Sequence, residues 1–256
     1  MKNITSKDNP TYKNAMKLLR KKYRDQEGKY LIEGIKPLTD AVNAGITVET
    51  VFVREGDDSG IIPEEGVNTM CLSRDLFDNL SETETSQGVI AIATKNLKEP
   101  EQGNVIILDR LQDPGNIGTI IRTAEAAGFR AIITVKGTGD IYSPKTVRAA
   151  AGSLFRMPVI EGLDTEEAVR FCRERGLKVT VTALEGAKEC YDADLRDTAI
   201  VIGNEGQGVS DEMLMAADEK VKIPMEGEIE SLNAAVAAAV LMYESARQTS
   251  TAGKVK

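Results

Sequence analysis

Residues 105–124, VIILDRLQDPGNIGTIIRTA, read as a buried strand that turns sharply into a helix. Val105 to Leu108 is a short apolar run, Asp113-Pro114-Gly115-Asn116 is a tight turn, and residues 116–127 form a helical segment. The same alternation continues downstream. Residues 131–135, 158–160, 179–183, 199–202 and 221–223 have strand character, whereas 144–152, 164–175, 209–217 and 232–247 read as helices. Such alternation predicts an α/β fold, a mostly parallel sheet with helices on both faces. Upstream, residues 29–33, 48–53 and 88–94 look like strands and 35–44 and 76–80 like helices. Asn9-Pro10 marks a helix entry, and Tyr12, Met16, Leu19 and Tyr23 recur behind it at helical spacing. The polar stretch 95–104 (KNLKEPEQGN) is the best linker, so we expect a small α/β domain at 1–97 and a larger one at 104–256.

Composition narrows the chemistry. The chain has 256 residues, 41% hydrophobic and 28% charged, close to an ordinary globular protein with room for two cores. It contains no His, which excludes Ser-His-Asp and Cys-His hydrolases, imidazole bases and His-ligated zinc. It contains no Trp, so base stacking would fall to Tyr, Phe or an Arg plane. The three cysteines, Cys71, Cys172 and Cys190, lack CxxC spacing, which argues against a disulfide framework or a zinc site and for a reducing compartment. With no apolar signal region or bilayer-length run, we expect a soluble cytoplasmic protein without membrane contact. Charge is uneven: residues 1–36 hold ten Lys/Arg against four Asp/Glu, a net of +6 on a chain whose overall charge is −8. A basic arm on an acidic body suggests a polyanion partner; the alternative is the solvated face of a helix.

In open α/β sheets ligands bind beyond the carboxyl ends of strands, and three such segments stand out. The first is the turn at 113–116, with Arg122 on the following helix just under two turns beyond Asn116, so that both can face the mouth of that loop. An Arg there suits a phosphate or a developing negative oxygen. The alternative is that Asn116 caps the helix and Arg122 makes a surface ion pair. The second is Gly203-Asn-Glu-Gly-Gln-Gly208, where glycines allow close approach to a flat ligand and Glu205 is the one ionisable group. Its alternative is a strand-to-helix turn needing positive φ. The third is Pro224-Met-Glu-Gly-Glu-Ile-Glu-Ser-Leu-Asn233, with Ser231 the expected N-cap of the closing helix and Asn233 inside its first turn. That helix is rich in alanine and apolar around most of its circumference, which suggests burial in the core or at a subunit interface.

Taken together and in this order, N-x-G-x-x-x-R-T-A, I-G-N-E-G-x-G and I-P-M-x-G-x-x-x-S-L-N-x-x-V-A resemble the three motifs of the SpoU/TrmH family of RNA ribose 2′-O-methyltransferases in the SPOUT superfamily. The resemblance spans about residues 104–247. It extends upstream, where Tyr30-Leu-Ile-Glu-Gly34 and the stretch 83–91 are similar to the family's ribosomal-protein-like substrate-binding domain. It implies a trefoil-knotted methyltransferase domain that binds S-adenosylmethionine through Gly203, Ile223 and Leu232, with Thr182 and Ala183 lining the same pocket. The family's functional polar residues fall on Asn116, Arg122, Glu205, Ser231 and Asn233.

The resemblance further implies 2′-O-methylation of rRNA, with guanosine in the large subunit favoured, by a homodimer that needs no metal. A tRNA enzyme and a non-catalytic RNA-binding or ribosome-assembly factor are the alternatives. The family proposal makes Arg122 the general base. A guanidinium pKa above about 12 instead favours Arg122 pinning a phosphate and stabilising the developing alkoxide, with the other four residues orienting it and the ribose.

Overall fold

A computed structural model describes residues 2–57, 66–96, 98–183, 185–229 and 231–252. Internal packing divides the chain into two units, residues 1–96 with 140–156, and residues 97–139 with 157–256. Leu97 and residues 253–256, at the edges of the expected domains, lie outside the described residues.

The first unit opens with β1 (Lys2–Ile4), α1 (Pro10–Lys17), α2 (Lys21–Glu27), β2 (Lys29–Glu33) and α3 (Ile35–Asn43). It continues with β3 (Val48–Arg54), β4 (Asn68–Leu72), α4 (Arg74–Leu80) and β5 (Val89–Thr94). The strands form a mixed sheet in the order β1-β4-β3-β5-β2. Side chains alternate across it. Phe52, Leu72, Ile90 and Ile92 pack with Tyr12, Ala15 and Leu18 of the N-terminal region and Leu76, Phe77 and Leu80 of α4. Val51, Val53, Val89 and Ala91 pack with Leu38 on the other side.

α1 starts as expected: Asn9 Oδ1 accepts from the Thr11 and Tyr12 amides, and Pro10 occupies the first turn. The single helix anticipated through Tyr23 is broken, however, at 18–20. Arg20 is extended there (φ −108°, ψ 130°), and the interruption leaves the Leu18 carbonyl to accept from the buried Arg24 guanidinium. The short strands β1 and β4, absent from the sequence expectation, pair in parallel at the sheet edge, Lys2 opposite Met70.

The chain then forms β6 (Val105–Asp109), α5 (Pro114–Ala126) and β7 (Ala131–Val135) of the second unit. It next contributes α6 (Pro144–Ala149) and a 3-10 turn (Ser153–Phe155) to the first. Residues 140–156 were expected in the larger domain, but their partners are in the smaller one. Arg24 donates through Nε and Nη2 to Asp140 Oδ2, the Tyr30 and Tyr142 rings pack at a 49° tilt with centroids 4.9 Å apart, and Asn96 Nδ2 donates to the Phe155 carbonyl at 3.1 Å.

The second unit is completed by β8 (Val159–Leu163), α7 (Thr165–Glu174), β9 (Lys178–Thr182), β10 (Lys188–Glu189) and β11 (Thr198–Gly203). Then come α8 (Asp211–Ala216), β12 (Glu219–Lys222) and α9 (Ala234–Ala252). The seven strands pair only in parallel, in the order β10-β12-β9-β11-β6-β7-β8. Val105, Ile107, Ile133, Val179, Val181 and Val201 form one core with Ala168, Val169 and Cys172 of α7 and Met213 of α8. Successive residues point to opposite faces, so Ile106, Ile132, Ile200 and Ile202 are buried on the other side, where α5 and α9 pack against each other and the sheet. Among the described residues no helix is long and apolar enough to cross a membrane.

Candidate functional site

The site is built from strand ends. β9 lies between β12 and β11, so Thr182, Ile223 and Gly203 stand at or just beyond the carboxyl ends of three adjacent parallel strands. The Ala183 amide donates to the Val221 carbonyl at 3.0 Å, which extends the β9–β12 pairing to the rim. Thr182, Ala183, Ile223 and Leu232 are all half-buried, and none carries a charge. Such a set suits a flat, largely apolar group held through main-chain donors and acceptors.

Gly203 is required by packing. A Cβ there would lie 2.2 Å from the Gly208 carbonyl carbon and 2.2 Å from the Val209 nitrogen. The loop after β11 folds back on itself: Asn204 and Gly208 exchange two main-chain hydrogen bonds of 2.9 Å. Asn204 Oδ1 accepts from the Gly206 and Gln207 amides at 2.9 and 3.0 Å, and its Nδ2 donates to the Arg110 carbonyl at 2.9 Å. Of the three glycines in this motif only Gly208 has positive φ, at 73°, so most of the turn is set by close packing and Asn204.

Glu205 is carried on this loop and reaches back to the first motif. Its Oε1 accepts from the Asp113 amide at 2.9 Å and Asn116 Nδ2 at 3.1 Å, and its Oε2 accepts from the Gln112 amide at 3.1 Å. Asn233 Nδ2 in turn donates to Asn116 Oδ1 at 2.9 Å. Glu205, Asn116 and Asn233, one from each motif, therefore form a continuous chain of hydrogen bonds. Burial works to raise the Glu205 pKa, but the amides of Asp113, Glu205 and Gln112 and the Asn116 side chain outweigh it and hold the carboxyl below its ordinary value.

At α5 the structure sets aside the alternative reading of Asn116 as a cap, and at α9 it corrects the expected Ser231 cap. Asp113, not Asn116, caps α5: its Oδ1 accepts from the Asn116 amide at 2.8 Å, with Pro114 in the first turn. This leaves the Asn116 side chain free to bridge Glu205 and Asn233. Asn233, not Ser231, caps α9, its Oδ1 accepting from Ala235 and Val236 at 2.9 and 3.3 Å. Among the described residues, Ser231 is exposed and makes no hydrogen bond.

Arg122 is not part of the network. Six residues along an α-helix are about 9 Å of rise and about a third of a turn away from the starting face. Arg122 is exposed, and its side chain makes neither a hydrogen bond nor an ion pair among the described residues, so the alternative of a surface ion pair gives way. Gln112, Asp113 and Asn204 are members of the hydrogen-bonded loops that the sequence reading did not single out. Asp113-Pro114 is a recognisable helix start, whereas the amides of Gln112 and Asp113 leave no sequence signature. A separate open groove of mixed charge, lined by Arg110, Lys136, Glu166, Arg170 and Glu212, contains none of the motif residues.

This arrangement defines a parallel α/β ligand-binding unit whose polar centre joins three loops at the carboxyl edge of the sheet. The model of the SpoU rRNA methylase family matches residues 103–243, and that of an MRM3-like substrate-binding domain matches residues 9–91. The chain is 36% identical to a 23S rRNA (guanosine(2553)-2′-O)-methyltransferase, RlmP, of Bacillus subtilis, over 95% of this chain and 98% of that one. Its structure is similar to an AdoMet-bound rRNA methyltransferase from Sinorhizobium meliloti, with TM-score 0.85, 32% identity and 96% and 97% of the two chains covered. It is also similar to the SpoU methyltransferase AviRb from Streptomyces viridochromogenes in complex with AdoMet, with TM-score 0.84, 29% identity and 95% and 99% covered. The chain belongs to the SpoU rRNA methylase family.

Proposed function

We propose that the protein methylates a ribose 2′-hydroxyl in 23S rRNA, at a guanosine, with S-adenosylmethionine as the methyl donor. The observation that carries this reading is the Glu205–Asn116–Asn233 chain, which joins the three motifs of a methylase-family domain at one edge of the sheet. Similarity along 95% of the chain to a guanosine-specific 23S rRNA enzyme supports the choice of target. The cofactor supplies an electrophilic methyl group and leaves as a neutral thioether.

Thr182, Ala183, Gly203, Ile223 and Leu232 are assigned to hold that cofactor, largely through main-chain groups; the uncharged set, half-buried apart from the buried Gly203, fits it. Glu205, Asn116 and Asn233 hold the loops in register, and Ser231 orients the ribose. Arg122 binds the phosphate beside the target and stabilises the alkoxide that develops as the 2′-hydroxyl loses its proton. Its full set of donors is available for that task.

The proposal includes a trefoil knot in the second unit and a homodimer formed through it. Met225, Ile229, Val236 and Tyr243, on α9 and the segment before it, are large apolar side chains between 36% and 67% exposed, which supports an interface there. Arg122 would then serve the site of the partner subunit. The first unit binds the RNA, and a cytoplasmic protein working beside the ribosome follows from an rRNA target.

The test is transfer of labelled methyl from S-adenosylmethionine to RNA from a strain lacking the protein, with mapping of alkali-resistant linkages. One new 2′-O-methylguanosine in 23S rRNA is expected. No transfer to free or ribosome-bound RNA, with cofactor still bound, would leave an RNA-binding factor instead.

A further inference from the structure

We infer that Arg148 is an RNA-binding residue of the first unit, contributed by the chain segment that follows β7 and aimed by the buried Glu33. The inference rests on RNA being the substrate. The MRM3-like match ends at residue 91, so the domain model for substrate binding does not include this position.

Glu33, at the end of β2, has a side chain only 8% exposed. Its carboxylate is already engaged: Oε1 accepts from the hydroxyls of Ser81 and Thr83, and Oε2 from the Glu82 amide at 3.3 Å. Glu33 therefore holds the loop after α4 without help from Arg148. Arg148 Nη1 stands 3.9 Å from Glu33 Oε2, within Coulombic reach and beyond hydrogen-bond length. Nη1 is buried with no hydrogen-bond partner, and among the described residues the guanidinium makes no hydrogen bond at all, although its side chain is only 33% exposed.

A buried donor left without an acceptor is costly, and a structural ion pair would have closed the remaining gap. The fork is instead held by charge beside a saturated carboxylate, at a small pocket of about 10 Å³ also lined by Leu31, Leu80, Ile90 and Val147, with Nη1 covered and the rest of the guanidinium making no hydrogen bond among the described residues. The apolar lining lowers the local dielectric and strengthens whatever bond the fork makes. Lys145, three residues earlier on α6, is exposed and adds a second cation near that face. The chemistry that suits the accessible part of the Arg148 guanidinium is a planar pair of acceptors. RNA offers it as phosphate oxygens or as the O6/N7 edge of an unstacked guanine.

The experiment compares full-length wild type with Arg148→Gln and Arg148→Lys on a 23S rRNA fragment, recording kcat, KM and their salt dependence, with cofactor affinity by calorimetry. We expect Arg148→Gln to raise the RNA KM about tenfold or more, the loss of a charge-assisted hydrogen bond, with kcat within about twofold and cofactor affinity unchanged. Arg148→Lys should recover part of that loss. A phosphate contact lowers the salt slope by about 0.7–0.9, whereas a base-edge contact leaves it unchanged; either supports the inference.

A wild-type KM in Arg148→Gln, or a fall in kcat alone, overturns it. Should the variant not fold, the rate of phenylglyoxal modification of Arg148 in wild type decides: slowing by the rRNA fragment is expected, and an equal rate with and without RNA overturns the inference. If the wild type transfers no methyl to any RNA, the functional proposal itself has failed, which is a different outcome from an indifferent Arg148.

Discussion

In the first unit Asp140 and Arg24 are almost entirely buried and bonded to each other, with side chains 12% and 5% exposed. In the second, Glu205 lies at the surface and accepts only from amides and one asparagine. Both carboxylates fix a loop to another part of their unit. The buried pair is satisfied within the chain: Arg24 also donates to the Leu18 carbonyl, and Asp140 Oδ1 accepts from the Tyr142 amide at 2.9 Å. Nothing is left over for a ligand. The surface network is also satisfied, yet it stands at the strand ends, on loops that also carry Ser231, whose hydroxyl makes no hydrogen bond among the described residues. The contrast teaches that charge in this molecule is spent on folding where water is excluded and on positioning where it is not.

The comparison breaks most visibly at Asp140. Asp140→Ala leaves a buried guanidinium uncompensated and should cost about 3–5 kcal/mol in denaturant unfolding, with activity lost in step with the fold. Loss of less than about 1 kcal/mol would mean the pair is not the internal clamp described. Arg122→Lys is the opposite case. We expect kcat to fall by about 10²–10³, as for removal of an oxyanion-stabilising donor, with an unchanged melting temperature. Retention of most activity would show that a point charge suffices.

Between these, Gly203→Ala forces the loop after β11 outward. It should cost about 1–3 kcal/mol, read by thermal unfolding, and weaken cofactor binding measured by calorimetry. The smallest effect concerns pH. Glu205 is held below its ordinary pKa, so its contribution is fully present above that ordinary value, about 4, and is lost only as pH falls through the lowered one. Cofactor affinity should therefore be independent of Glu205 ionisation between about pH 6 and 9. A transition in that range that disappears in Glu205→Gln would contradict the hydrogen-bond assignment.

Legibility followed locality. The central parallel strands β6, β7, β9 and β11 could be read because strands buried on both faces are continuous apolar runs, whereas β10, two exposed charged residues, could not. The order of the strands could not either, since no local feature of β12 says that it lies beside β9. The Arg24–Asp140 pair spans 116 residues and interrupts what looks like one helix, so its partner was invisible from either end. At the site, the motif spacing identified Asn116, Glu205 and Asn233 but not how they join. Ser231 and Asn233 are equally good caps by residue type, and only the fold chooses. The donors from Gln112 and Asp113 are main-chain groups that any residue would supply.

The most direct test of the account takes kcat and unfolding free energy together on Glu205→Gln. The variant keeps the shape of the side chain and one acceptor oxygen but loses the second, so the three motifs fall out of register while the cores stay intact. We predict a fall in kcat of about tenfold or more with a stability loss below about 1 kcal/mol. Wild-type turnover, or a loss of activity that tracks unfolding, would contradict it.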